Sequence, residues 1–303
     1  RHDVVFFERN GLRHGEFTLP FGKDEVQVRE LAWNCDSSIL AVWVERLQSN
    51  VGSTTKQSYL QLWTCTNYHW YPKQEYLFGT SSTSSLSSFS WDVEQSCTLF
   101  ATTANGEINT YFHVLATDVS GGLHSSNTTM AAVVDGSKIL LTPLRKECVP
   151  PPMCANEVVL SDLVGARCCV RCVSFVPTND ETDKLFMSVV SSDDKLFLIR
   201  IKIDTLEPTL LASINLKTIS PTSDSTWLMH RQVSWLTVDA TSNTTSNNND
   251  NDDAVVGANS YTCKLLDVAN KRGEDVDTLI QFEVVCSTGG GDGGEAVAKV
   301  ENV

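Results

Sequence analysis

Cys169 and Cys172 stand in a C-x-x-C directly after Cys168, and thiolates at that spacing can take two corners of a zinc tetrahedron. Four ligands are needed. Cys148 and Cys154 are the nearest second pair, but their gap is wider than a zinc knuckle uses, and strand alternation would turn Cys169 and Cys172 to opposite faces. Ordinary strand thiols are therefore expected, and no metal. Residues Gly289-Gly290-Gly291-Asp292-Gly293-Gly294 satisfy G-x-G-x-x-G after the apolar run Phe282 to Cys286, which is how a dinucleotide-binding turn begins. Only nine residues follow, too few for the helix, second strand and ribose-binding acid, so a flexible segment is expected and no cofactor. The acidic run Asp250-Asn251-Asp252-Asp253 lacks the central glycine and terminal glutamate of a calcium loop.

Hydrolytic signatures are missing as well. The sequence holds no G-x-S-x-G and no H-E-x-x-H, and its six histidines (His2, His14, His69, His113, His124, His230) have no ligand spacing. No catalytic, cofactor-binding or metal residue is assigned, and the chain is expected not to be an enzyme. The seven tryptophans, Trp33, Trp43, Trp63, Trp70, Trp91, Trp227 and Trp235, fall mostly inside apolar strands, where core packing is their default role.

The elements that would position any site are short strands. Val4 to Phe7 and Leu12 to Leu19 flank Arg9-Asn10-Gly11, a hairpin turn in which Asn-Gly supplies positive φ. A unit then runs from Val28-Arg29-Glu30-Leu31-Ala32-Trp33 through a polar turn to Ile39 to Val44, Ser58 to Trp63 and Tyr68 to Tyr71. The phrase returns at Leu86 to Trp91, Thr98 to Thr102 and Glu107 to Leu115, more loosely at Ala131 to Val134 and Lys138 to Leu144, and again at Cys172 to Val176, Lys184 to Val190, Lys195 to Ile203 and Thr209 to Ile214. Taking Trp33, Trp91, Val133, Phe175 and Trp235 as equivalent points, the spacings are 58, 42, 42 and 60 residues. Four short strands at periods of about 40–60 residues predict an all-β fold of β-propeller blades. Trp33, Trp91 and Phe175 should be buried at like positions. An immunoglobulin-like sandwich also alternates strands and turns, but it does not need this repeat.

Three polar segments read as loops or linkers: Gly79 to Ser85, a disordered insertion at 241–253, and a Gly-rich stretch at 287–294. Pro150-Pro151-Pro152 reads as a short polyproline II spacer. Charge excludes one broad class of partner: 23 Lys and Arg against 37 Asp and Glu give −14, of which −4 falls on residues 1–150 and −10 on 151–303. Phosphate-backbone binding needs the opposite sign, so no direct nucleic-acid contact is expected. No apolar run reaches membrane-helix length, so no membrane is expected. Ten cysteines at irregular intervals fit a reducing, cytoplasmic setting better than a disulfide scaffold, and the sequons at Asn127 and Asn243 read as chance tripeptides. A chain opening at Arg1 is expected to be a piece of a longer one.

Certain residues carry a more specific likeness. Val4-Val5-Phe6-Phe7-Glu8-Arg9-Asn10-Gly11-Leu12-Arg13-His14-Gly15-Glu16-Phe17-Thr18-Leu19-Pro20, then Leu31 to Trp43, Leu60 to Trp63 and Asn67 to Tyr71, resemble the Elongator complex protein 1 family, as does Val149-Pro150-Pro151-Pro152-Met153-Cys154. The resemblance implies a stretch of WD40 region: the last blade or blades of a first propeller over 1–75 and a partial second propeller over 76–303. It also implies a scaffold in a cytoplasmic assembly that modifies the wobble uridine of transfer RNA, with other Elongator subunits as partners. In such an assembly the chemistry belongs to a radical-using acetyltransferase subunit, and homodimerisation and RNA contact belong to regions C-terminal to these residues. The Asn/Asp-rich insertion and Gly-rich end depart from the family pattern. Two rivals stay open on the residues alone: an unrelated WD40-like adaptor, and a propeller hydrolase or lyase with its site at a central channel.

Overall fold

Strands that are apolar on both faces need cover on both sides, and here each central sheet has it. The computed structural model describes residues 2–47, 57–79, 84–113, 129–147, 149–176, 184–218, 228–242, 259–271, 277–287 and 296–301. The chain divides into two compact units, Arg1–Ala116 and Thr117–Val303. Within every sheet, consecutive strands are neighbours and run antiparallel, so each sheet is a meander.

The first unit holds three sheets. A two-stranded one pairs β1 (Asp3–Phe7) with β2 (Arg13–Thr18). A four-stranded one runs β3 (Val26–Trp33), β4 (Ile39–Arg46), β5 (Ser58–Thr66) and β6 (His69–Phe78). A three-stranded one runs β7 (Leu86–Trp91), β8 (Thr98–Thr103) and β9 (Ile108–Phe112). Strand β4 shows why they stack. Its residues Leu40, Val42 and Val44 join Val4, Phe17 and Trp63 in one core, while Ile39 and Ala41 join Phe89, Trp91 and Leu99 in the next.

The second unit repeats the scheme. One sheet is β10 (Met130–Asp135), β11 (Lys138–Pro143) and β12 (Asn156–Val159), after which comes a single helical turn, α1 (Leu160–Val164). The next is β13 (Val170–Phe175), β14 (Lys184–Ser191), β15 (Lys195–Lys202) and β16 (Pro208–Asn215). The last is β17 (Leu228–Ser242), β18 (Asn259–Lys271), β19 (Asp277–Ser287) and β20 (Ala296–Glu301). On β15, Phe197, Ile199 and Ile201 pack toward the β10–β12 sheet, whereas Leu196 and Leu198 pack toward Val233, Cys263 and Phe282 of the β17–β20 sheet. Meander sheets laid face to face in chain order are propeller blades.

The recurring aromatic points end the first strand of their sheets: Trp33 on β3, Trp91 on β7 and Phe175 on β13. Trp91 and Phe175 are buried, but Trp33 is 43 % exposed, which corrects the expectation of three like-buried side chains. The cause is its cover. Trp33 packs toward Phe6 of the β1–β2 sheet at 6.2 Å between ring centroids, and a two-stranded layer does not shield the ring. A second correction concerns the strand expected over Tyr68 to Tyr71: β6 begins at His69, and Tyr68 lies in the β5–β6 turn, where Asn67 and Tyr68 both hold positive φ (52° and 61°) without glycine. The Asn-Gly turns, by contrast, follow the sequence: Gly11 and Gly106 sit at φ 87° and 83°, where a Cβ would be strained. Pro150 to Met153 form a hydrogen-bonded turn, Met153 N donating to Pro150 O at 3.1 Å, rather than a polyproline spacer.

Candidate interaction surfaces

The residues singled out for chemistry do not converge. Cys168 packs into the core between the β10–β12 and β13–β16 sheets, whereas Cys172 packs against the core on the opposite side of β13. A register irregularity between Val170 and Cys172 accompanies this. Among the described residues no group of three or more His, Cys, Asp or Glu could hold a metal ion. Cys148, the 250–253 acidic run and the glycines at 289–294 lie outside the described residues. Of the histidines, His2 faces Asp3 at 3.9 Å, His14 faces Glu8 at 3.6 Å, and His69 meets the Tyr71 ring edge-on at 4.5 Å. His124 and the side chain of His230 lie outside the described residues.

What the side chains do build is a set of clasps between the β3–β6 and β7–β9 sheets. Asn34, 3 % exposed, accepts from Ile39 N at 3.0 Å through Oδ1, and its Nδ2 donates to Ser38 Oγ at 3.1 Å and to Ser96 O at 2.9 Å. It thereby ties the β3–β4 turn to the β7–β8 turn. Trp91 Nε1 donates to Ala32 O at 3.1 Å, crossing the same boundary. His113, just past β9, completes the third clasp: Nδ1 lies 3.0 Å from Cys97 O and Nε2 lies 2.8 Å from Tyr76 Oη. A carbonyl only accepts, so Nδ1 carries the proton and bare Nε2 accepts from the tyrosine hydroxyl. Burial holds the His113 pKa below its ordinary value, against a smaller upward pull from the Cys97 carbonyl. Sequence reasoning gave His113 no role, because its partners lie 16 and 37 residues away.

Inside the β3–β6 sheet one buried side chain is bonded at both its donor and its acceptor end. Buried Gln61 donates to Glu75 at 2.6 Å across the register pair and accepts from Trp63 Nε1 at 3.1 Å. In the second unit Arg171 Nη1 donates to Asp194 at 2.9 Å. Nearby, burial pushes the Asp193 carboxyl up, but bonds from Lys195 and Ser191 outweigh it and hold its pKa below the ordinary range.

Two groups of apolar side chains reach the surface of the first unit, beside scattered exposed ones such as Phe7, Leu12 and Val93. One is an aromatic rim in which Phe6 stacks on Trp70 at 4.7 Å and Trp33 lies 5.8 Å from Trp70. The fully exposed Tyr68 stands on the neighbouring turn. The other is β9, whose Ile108 and Phe112 are 67 % and 69 % exposed. Exposed aromatic and branched side chains of this kind are the anchors protein partners use.

Comparison with known proteins agrees with this architecture. The family model described as ELP1 first N-terminal beta-propeller matches residues 1–94, and that described as ELP1 N-terminal second beta-propeller matches residues 133–283. Elongator complex protein 1 of Mus musculus is 45 % identical over 160 residues, which is 53 % of this chain and 12 % of the mouse protein. The Saccharomyces cerevisiae protein of the same name is 39 % identical over 151 residues, 50 % of this chain and 10 % of its own length. The Arabidopsis thaliana protein is 31 % identical over 162 residues, 53 % of this chain and 11 % of its own length. The chain therefore spans about a tenth of the length of these relatives.

Proposed function

The chain belongs to the Elongator complex protein 1 family, and from that premise we propose that it is a non-catalytic scaffold segment, docking other Elongator subunits in support of transfer-RNA wobble-uridine modification in the cytoplasm. The observation that carries this reading is the pairing of rigidity with vacancy of chemistry. Buried clasps lock neighbouring sheets together, while among the described residues the chemistry-bearing side chains stay apart. A rigid β platform without convergent acid, base or nucleophile supplies surfaces and positions partners.

The same reading assigns RNA contact and dimerisation to polypeptide outside residues 1–303. No helix among the described residues is long and apolar enough to cross a membrane. The test is affinity purification of the tagged chain from cells of its source, followed by identification of the proteins retained. Recovery of other Elongator subunits, reduced by substitutions at Trp33, Tyr68 or Phe112, supports docking. Retention of none, or wobble-uridine modification by the chain alone, overturns it.

A further inference from the structure

Four turns of the first unit come together at one end of its sheets. Within the β3–β6 meander the β3–β4 turn (34–38) and the β5–β6 turn (67–68) share that end, because Ile39 pairs with Thr64 and Thr66 with His69. Asn34 ties the β7–β8 turn (92–97) to it through Ser96. The Phe6 ring, next to the last residue of β1, stacks on Trp70 and so brings the β1–β2 turn (8–12) there as well. At the β5–β6 turn the backbone conflicts with the residue it carries. Two consecutive positive φ angles are what Asn-Gly supplies in a tight hairpin. Asn67 tolerates its φ of 52°, but Tyr68, at 61°, holds a bulky side chain in left-handed backbone, which is unfavourable for any residue with a Cβ. The side chain is fully exposed, so the fold recovers no packing from it. A residue that weakens its own turn and packs on nothing inside the chain is explained by a contact outside it.

The surroundings say what kind of contact. Leu12 and Val93, each exposed singly, stand on two of the other turns. The four turns together hold Glu8, Asp36, Asp92 and Glu94 against Arg9 as their one cation. Hydrogen bonds from Ser38 keep the Asp36 carboxyl below its ordinary pKa, and the Gln95 and Glu94 amides do the same for Asp92. A second copy of this acidic end, or a phosphate backbone, would bring like charge to like. A cationic protein surface meets the opposite sign.

Resting on the docking reading above, we infer that Tyr68 is a knob that seats in a pocket of another protein chain of the Elongator complex, a pocket with apolar walls and a rim of Lys or Arg facing Asp36, Asp92 and Glu94. The ring supplies the apolar anchor and the acidic turns around it set the sign of the partner. A tyrosine on a tight two-residue turn loses little freedom when it is captured, which suits it to the centre of an interface.

The test sets denaturant unfolding beside affinity purification of the tagged chain from cells of its source, for wild type, Tyr68→Gly and a charge variant combining Asp36→Asn, Asp92→Asn and Glu94→Gln. Tyr68→Gly should raise the folding equilibrium constant about three- to tenfold, the relief of left-handed backbone less the freedom glycine adds to the unfolded chain. The same variant should retain other Elongator subunits at about a tenth of the wild-type level or less. The charge variant, whose asparagines can still accept the turn bonds, should lower retention severalfold. Loss of retention with stability raised or unchanged supports the site, as do carbodiimide cross-links from Asp36, Asp92 or Glu94 to a lysine of a retained subunit. A loss of retention that tracks a loss of stability overturns it, as does retention abolished by ribonuclease, or a dimer of the chain that depends on Tyr68. Where wild type and Tyr68→Gly retain the subunits equally, docking survives and the Tyr68 assignment alone falls. Where wild type retains none, both readings fall.

Discussion

Protonating His113 should loosen the first unit by a predictable amount. In the folded chain its Nδ1–H is committed to the Cys97 carbonyl and its bare Nε2 to the Tyr76 hydroxyl, with the rings of Tyr76 and Trp91 each 6.1 Å away. No carboxylate is among these partners, and burial is the larger cause of the lowered pKa. The unfolded chain therefore takes up the proton first, near the ordinary value of 6.5. The stabilisation is fully present above that pH and falls as pH drops toward the folded-state value. One proton bounds the slope at about 1.4 kcal/mol per pH unit. Denaturant unfolding of wild type and His113→Gln between pH 8 and 5 isolates it, because all other titrations cancel in the difference. At pH 8 the variant should be weaker by roughly 1–3 kcal/mol, from part-buried Tyr76 and Cys97 groups left without their partner. That gap should narrow on acidification. Parallel curves, or a gap that widens toward pH 5, would refute the assigned tautomer and the burial argument together.

Asn34→Ala removes three hydrogen bonds at a buried turn and should lower stability by about 1–3 kcal/mol, whereas Ser38→Ala, which loses one of them, should stay near about 1 kcal/mol in the same denaturant assay. Trp91→Ala should lose about 3–5 kcal/mol of stability, and Trp33→Ala, at a half-open site, clearly less; equal losses would contradict the difference in burial. Protein purified without chelator should contain no stoichiometric zinc, and a full equivalent lost in Cys169→Ser with Cys172→Ser would overturn that expectation. A gel-shift titration with transfer RNA near physiological salt should show nothing tighter than the roughly 10⁻⁴–10⁻⁶ M of non-specific contact.

The repeat was legible because packing on both faces of a sheet leaves a residue-level trace. Strand β4 reads Ile-Leu-Ala-Val-Trp-Val because both of its faces are covered, and Asn-Gly announces two of the turns through the φ it alone makes easy. Less legible was anything set by a neighbour. The exposure of Trp33 depends on how many strands cover it, not on its place in the repeat. The turn at Asn67 and Tyr68 holds two left-handed residues by virtue of the β5–β6 register, with no glycine to mark it. The clasps at Asn34 and His113 join residues up to 62 positions apart, and a single sequence carries no record of that pairing.

Asn34, Trp91 and His113 all bind the β7–β9 sheet to the β3–β6 sheet, through the β7–β8 turn, the end of β7 and the residue after β9. The exposed Trp33 and Phe112 each stand next in the chain to one of these clasped residues, so the clasps fix the main chain from which those side chains project. A partner that meets them has only its own side to order, and preorganisation of this kind raises affinity by lowering the entropy lost on association. Loosening a clasp, as Asn34→Ala or His113→Gln does, should therefore weaken retention of partner subunits in the affinity purification while leaving every exposed side chain unchanged.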